Sequence, residues 1–200
     1  MSPPATQTAI VQTAKASSTH LPLVVNRSAP VPKVPSEHHV LVRILAVALN
    51  PNDHKMVMHF NMPDSITGCD FCGIVAAEAG ENNNNNNNRA SSSAAARFPA
   101  GTRVCGALFP YNPADPDNGS FAQFCVVDAR LLVKVPDSWN DLEAASLGVG
   151  WSTVSLAFSD PNALGLDGLP TKPSHQSKDP VLVYGGATAS GTLACQLLSL

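Results

Sequence analysis

Apolar residues in this chain gather into short aliphatic and β-branched runs separated by Gly, Pro, Asn and Asp, a pattern of strands more than of helices. The clearest run, Val40-Leu-Val-Arg-Ile-Leu-Ala-Val-Ala-Leu49, predicts a strand that ends at the turn pair Asn50-Pro51. Shorter strands are predicted from Leu21 to Asn26, Ile74 to Ala76, Gly101 to Leu108, Gly119 to Val127 and Leu131 to Pro136. Between them, Pro30 to Pro35 reads as an extended connector and Gly68 to Gly73 as a turn. A short helix is predicted from Asp53 to about His59. So many short strands in succession suggest a partly open antiparallel barrel.

The pattern changes after Pro136. Ser138, three residues before Asp141, is placed as a helix cap, and helical spacing continues through Leu142, Ala145 and Ser146. A second helix is predicted from about Trp151 to Phe158. Asp160 to Pro180 is a polar connector rich in Pro and Gly. Val181 to Tyr184 is a continuous apolar run of the kind buried in a parallel sheet. A glycine turn and an Ala/Leu-rich segment, Thr192 to Leu200, follow it. Strand, glycine turn and helix together open a dinucleotide-binding βαβ unit.

The expected organisation is therefore a mixed α/β chain. Residues 1–20 form a weakly ordered start, and residues 21–159 a first, barrel-like domain. That domain carries a disordered insertion at 81–96, whose asparagine run and Ser/Ala stretch bury too little apolar surface to order themselves. Residues 160–180 are the connector. Residues 181–200 are the first βα unit of a doubly wound domain that is incomplete at Leu200. A lone unit of this kind is expected to bind a dinucleotide poorly and to aggregate through its unpaired apolar strand.

Composition narrows the function. With 14% charged residues and a formal net charge of -3, the chain has no electrostatic drive toward nucleic acid or an anionic membrane. No apolar run is long enough to span a bilayer, and Met1 to Ala16 lacks the apolar core of a secretory signal. The Asn-x-Ser triplets at Asn26 and Asn118 then read as chance. Five cysteines, an odd number, point to reduced thiols and a cytoplasmic location. The chain has no Gly-x-Ser-x-Gly elbow, Walker loop or triad order, so hydrolase and NTPase chemistry have no residues to rest on.

The turn Gly185-Gly186-Ala187-Thr188-Ala189-Ser190-Gly191 carries the most chemistry. Glycines there let backbone N–H groups approach a pyrophosphate at the positive end of a helix. Gly185 and Gly191 fit the outer positions of a dinucleotide fingerprint, with Thr188 in place of the middle glycine; a plain strand-to-helix connection is the alternative. Cys69-x-x-Cys72 has a spacing used in zinc sites but lacks a second pair, and the six histidines do not cluster with carboxylates.

The order of these motifs resembles the medium-chain dehydrogenase/reductase family. The matching segments are Val47-Ala-Leu-Asn-Pro-Asn-Asp53, Thr67-Gly-Cys-Asp-Phe-Cys-Gly-Ile-Val75, Pro99-Ala-Gly-Thr-Arg-Val-Cys-Gly106 and Gly119-Ser-Phe-Ala-Gln-Phe124. Leu142-Glu-Ala-Ala-Ser-Leu147 and Val181-Leu-Val-Tyr-Gly-Gly186 match as well. The resemblance implies a GroES-like barrel followed by a Rossmann domain. Within the family the chain is most similar to the zinc-independent, trans-acting enoyl reductases of fungal polyketide pathways. Asn50-Pro-Asn-Asp-His-Lys-Met56, Tyr184-Gly-Gly-Ala-Thr-Ala189 and the long polar connector carry that likeness.

This likeness implies an oxidoreductase that uses NADPH to reduce an α,β-unsaturated thioester. The acyl group is held by a partner synthase, a highly reducing polyketide synthase or a polyketide synthase–peptide synthetase. It places Asn52, Asp53, His54 and Lys55 at the nicotinamide and ribose end of the cofactor. Gly185, Gly186, Ala187, Thr188, Ala189 and Ser190 lie at the pyrophosphate, and Trp151, Ser152, Thr153 and Val154 at the substrate. Lys55 is the catalytic candidate, with Thr153 a further hydrogen-bond donor. Without the likeness, residues 52–55 read as a capped helix start with a solvated lysine, and 151–155 as ordinary helix packing. Zinc members of the family carry a Cys where this chain has Asn50 or Asn52, and His-Glu where it has Cys69-Asp70, so no metal is expected. The alternatives are a quinone-type oxidoreductase of the same superfamily and an inactive remnant.

Overall fold

The computed structural model describes residues 3–13, 20–78, 97–166 and 180–199. The asparagine-rich insertion and most of the connector before Val181 lie outside these residues. Two compact units divide the chain, Met1–Gly148 and Val149–Leu200.

The first unit is built on antiparallel pairing. Its strands are β1 (Thr6–Gln12), β2 (Leu23–Pro30), β3 (His39–Ala48), β4 (Asp70–Glu78), β5 (Arg103–Ala107), β6 (Phe124–Asp128) and β7 (Val133–Lys134). The helices are α1 (Pro51–His59) and α2 (Asp141–Ala145). Five strands form one sheet in the order β6-β3-β4-β5-β7, and β1-β2 form a second. Isolated bridges, Ala9 to Ala122 and Val11 to Ile66, join β1 to the segments beside the larger sheet. This is the mixed α/β, antiparallel architecture that the strand pattern predicts.

Side-chain alternation explains the two cores. Successive strand residues point to opposite faces. Phe71 and Val104 accordingly join Val40, Val42, Cys125 and Val127 in one cluster, while their neighbours Cys72 and Cys105 join Val135, Ala144 and Ala145 of α2 in another. A third cluster, Ala9, Val11, Ala29 and Ile66, lies under the small sheet.

Three expectations for the first unit need correction. Residues 1–20, expected to be weakly ordered, contain β1. Its inward positions include Gln7 and Gln12, each 2% exposed, so hydrophobic alternation does not reveal it. Burial is tolerated because every polar atom finds a backbone partner. The Gln7 amide donates to Pro30 O at 2.9 Å and its carbonyl accepts from Phe124 N at 2.7 Å. Second, Asn140 and not Ser138 caps α2: its Oδ1 accepts from Leu142 N and Glu143 N at 3.0 and 2.9 Å, while Glu143 accepts from Asn140 N at 2.9 Å. Third, β4 starts at Asp70, inside the stretch expected to turn, because pairing with β3 runs from Ala48–Asp70 onward.

The second unit holds α3 (Gly148–Ser159), which begins at the boundary, and α4 (Ala189–Leu198). Val181 to Tyr184, expected as a strand, has no strand pairing; Leu182 is 91% and Tyr184 100% exposed. A parallel strand exists only against a neighbour, and none of the described residues supplies one.

Two outcomes follow. Gln7→Leu strands the Phe124 N–H and Pro30 carbonyl and lowers stability by roughly 1–3 kcal/mol, read from denaturant melts. At the end of β6, the Arg130 guanidinium holds the Asp128 carboxyl down to about 2. Its folded value lies below the unfolded one of about 4, so this contribution is complete above pH 4 and fades as pH falls toward 2. Asp128→Asn flattens that part of the stability profile.

Candidate functional site

The strongest polar convergence in the first unit lies where β3 hands over to α1. Pro51 at the first helical position has no N–H to leave unsatisfied, which favours starting the helix there. The Asp53 carboxylate reaches back and accepts from Asn50 N at 2.7 Å through Oδ2. The Asn50 side chain turns to the neighbouring strand, where its amide donates to Asp70 Oδ2 at 2.9 Å. Two residues on, Asn52 donates to Cys69 Sγ at 3.7 Å, a weak bond. The first turn of α1 is thereby stitched to the start of β4.

Asp53, Cys69, Asp70 and Tyr111 are all buried here. Burial, followed by the nearby Asp53 carboxylate, pushes the Cys69 thiol up to about 12, so it remains a thiol. Burial also raises the Tyr111 hydroxyl, with Cys69 and Asp53 adding to it. Among the described residues, that hydroxyl and Asp53 Oδ1 have no hydrogen-bond partner. The Tyr111 ring stacks on Phe60 at a centroid distance of 6.0 Å and meets Phe109 edge-on at 6.3 Å. Gly148 closes the cluster: a Cβ there would sit 2.3 Å from Gly106 O and 2.6 Å from Asp70 Oδ1. Only glycine admits so close an approach.

His54 and Lys55 are exposed on α1, and the described residues provide no partner for the Lys55 ammonium. Asn52 and Asp53 are the inward members of that quartet. Sequence reasoning missed Tyr111 and Gly148, which lie far along the chain from residues 50–55. The Cys69-x-x-Cys72 pair separates: Cys72 faces Asp141, at 3.8 Å from Oδ1, and its register partner Cys105. Among the described residues, no three His, Cys, Asp or Glu side chains are grouped to hold a metal.

In the second unit the glycine turn is built around Thr188. Its hydroxyl donates to Gly185 O at 2.8 Å and accepts from Gly191 N at 3.1 Å, capping α4. Gly185 has φ +83°, and a Cβ on Gly191 would lie 2.2 Å from Gly185 O. The turn thus uses both outer glycines and leaves the N–H groups of Ala189 and Ser190 without intrahelical acceptors. This suits a diphosphate at the start of a ten-residue helix. On α3, Val154 is buried, Trp151 half-buried, and Ser152 and Thr153 exposed. The Thr153 hydroxyl donates to Val149 O at 2.7 Å, so its hydrogen is already committed.

Comparison with known proteins agrees with this architecture. Residues 36–137 match the alcohol dehydrogenase GroES-like domain. The chain belongs to that family. It is 76% identical over 194 residues to the trans-enoyl reductase calK of Penicillium decumbens, covering 97% of this chain and 51% of calK. It is 51% identical over 195 residues to the trans-enoyl reductase sthE of Phaeosphaeria nodorum, covering 97% of this chain and 49% of sthE. An alcohol dehydrogenase superfamily protein from Novosphingobium aromaticivorans superposes with a TM-score of 0.65 at 26% identity, over 97% of this chain and 51% of its own. The chain spans about half the length of the relatives it matches. None of the helices among the described residues is long and apolar enough to cross a membrane.

Tyr111→Phe removes an unpartnered buried hydroxyl while keeping both ring contacts. It is expected to hold stability within about 1 kcal/mol of the parent or to raise it, as read from thermal and denaturant melts.

Proposed function

We propose that this chain carries the barrel and the opening of the cofactor domain of a trans-acting enoyl reductase. Its substrate is an α,β-unsaturated acyl thioester presented by a partner polyketide synthase, of the highly reducing or peptide synthetase-fused kind. The observation that carries the reading is the 76% identity with calK across nearly the whole chain. The Asp53 bond to Asn50 N at the start of α1 and the two-glycine turn before α4 support it.

NADPH, when bound, supplies the hydride for the β-carbon. The chain's own contribution is placement and electrostatics. Ala187, Ala189 and Ser190 offer backbone N–H groups to the diphosphate, with Gly185 and Gly186 shaping the turn and Thr188 holding it. Asn52 and Asp53 set the geometry of the α1 start, beside His54 and Lys55. Trp151, Ser152, Thr153 and Val154 line the acyl side. Thr153 has given its hydrogen to Val149 O, so it serves as an acceptor. Lys55, exposed and without a partner among the described residues, is the donor assigned to the negative charge that develops on the thioester oxygen. Asn50 and Cys69-Asp70, at the positions of zinc ligands in other members, are tied to each other and to α1, so the reaction is assigned to proceed without metal.

The test uses the full-length natural protein with NADPH and either an enoyl thioester or a quinone. Thioester reduction is expected, and Lys55→Ala is expected to lower kcat by roughly a hundredfold with an unchanged melting temperature. Turnover of the quinone with none of the thioester would overturn the assignment in favour of a quinone-type oxidoreductase.

A further inference from the structure

Gln12 sits near the opposite end of the first unit's sequence from Tyr111 and Gly148, yet it grips the helix that carries Lys55. Its side chain is 2% exposed. The amide nitrogen donates to Val57 O at 2.9 Å and to Phe60 O at 2.6 Å, and the carbonyl accepts from Met62 N at 3.0 Å. Its backbone adds two more bonds, Gln12 N to Ser65 O at 2.9 Å and Asp64 N to Gln12 O at 2.8 Å. One residue of β1 is therefore fastened five times to the segment 57–65.

The side-chain bonds fall where a helix needs them. The last carbonyls of a helix have no intrahelical donors, and a glycine in the left-handed conformation commonly ends the helix and satisfies them. α1 has no such glycine: its C-cap is Phe60, with φ -103° and ψ 120°. The Gln12 amide takes that place from outside the helix.

Packing alone would hold α1 weakly. Val57 is its one fully buried apolar side chain; Met56 is half-buried, and Met58, His54, Lys55 and His59 are exposed. Burying a single valine fixes neither the tilt nor the rotation of a nine-residue helix. Polar tethers do that, Asn50 to Asp70 and Asn52 to Cys69 at one end and Gln12 at the other. Lys55 lies between them. We infer that Gln12 is a positioning residue, which sets the orientation of α1 and through it the placement of Lys55. Its catalytic consequence rests on the reading of Lys55 given above; its structural consequence does not.

The experiment compares Gln12→Met, of similar length but without hydrogen-bonding groups, with the parent at full natural length. Amide hydrogen exchange across residues 53–60 is expected to speed up about tenfold or more, with β3, β4 and β6 unchanged. Thioester kcat/KM is expected to fall about tenfold, mainly in kcat. Lys55→Ala then costs less in the Gln12→Met background than alone, a non-additivity that a merely structural residue would not produce. Gln12→Glu, whose buried carboxyl stays protonated against the two carbonyls and restores one donor, recovers part of the loss. If Gln12→Met does not fold, the exchange comparison is made on Gln12→Glu. Unchanged exchange in α1, or strict additivity with Lys55→Ala, would overturn the inference. A parent protein that reduces no thioester would refute the enoyl reductase reading, while the exchange comparison would still decide the role of Gln12.

Discussion

Ala48 faces Asp70 across the pairing of β3 with β4, and the two residues that follow it bring the chain to Asn50, whose amide donates to the Asp70 carboxylate. The rest of the candidate site depends on that register. A slip of one residue would turn every side chain of β4 to the opposite face, moving Phe71 out of one core and Cys72 out of the other. It would also carry Asp70 away from Asn50 and from the backbone at Gly148. The strand pairing that builds the hydrophobic core thus also fixes the polar cluster beside it.

Polar burial in this unit falls into two kinds. Gln7 and Gln12 are buried and fully engaged, each joining β1 to a distant segment through backbone groups that would otherwise lack partners. Tyr111 and Asp53 are buried and partly unengaged, close enough for Asp53 and Cys69 to disfavour ionisation of the tyrosine. The first kind serves the fold. The second kind includes the Tyr111 hydroxyl and Asp53 Oδ1 beside the first turn of α1, and also Ser120 Oγ elsewhere in the unit. Around Asp53 and Asp70, the Cys69 thiol and the Tyr111 phenol are both kept protonated by burial and by the neighbouring acidic groups.

The four cysteines of the first unit show how burial decides reactivity. Cys69, Cys72, Cys105 and Cys125 are all buried. Burial pushes Cys105 up to about 11 and Cys72, with Asp141 adding to the effect, up to about 12. Cys72 and Cys105 face each other across β4 and β5, but thiols held protonated in a closed core are poor nucleophiles. They serve as small packing groups against α2.

Local pattern was enough to determine most elements. The aliphatic run from Val40 made β3 legible, Asn50-Pro51 marked its end, and the glycine spacing from Gly185 marked the start of α4; each is a property of neighbouring residues. β1 was hidden because glutamine does not look like a core residue until its partners, Pro30 O and Phe124 N, are known. The Val181 to Tyr184 run has the composition of a buried strand, but pairing needs a neighbour that composition cannot provide. Within the candidate site, Asn52, Asp53 and Lys55 were visible as a motif. Tyr111, Gly148 and Gln12 were not, since their roles arise from contacts across dozens of residues. The sequence alone determined the type and order of the elements and their likeness to a family. Tertiary structure decided which polar groups are satisfied and which are left exposed to one another, because hydrogen-bond satisfaction is set by three-dimensional neighbours and not by spacing along the chain.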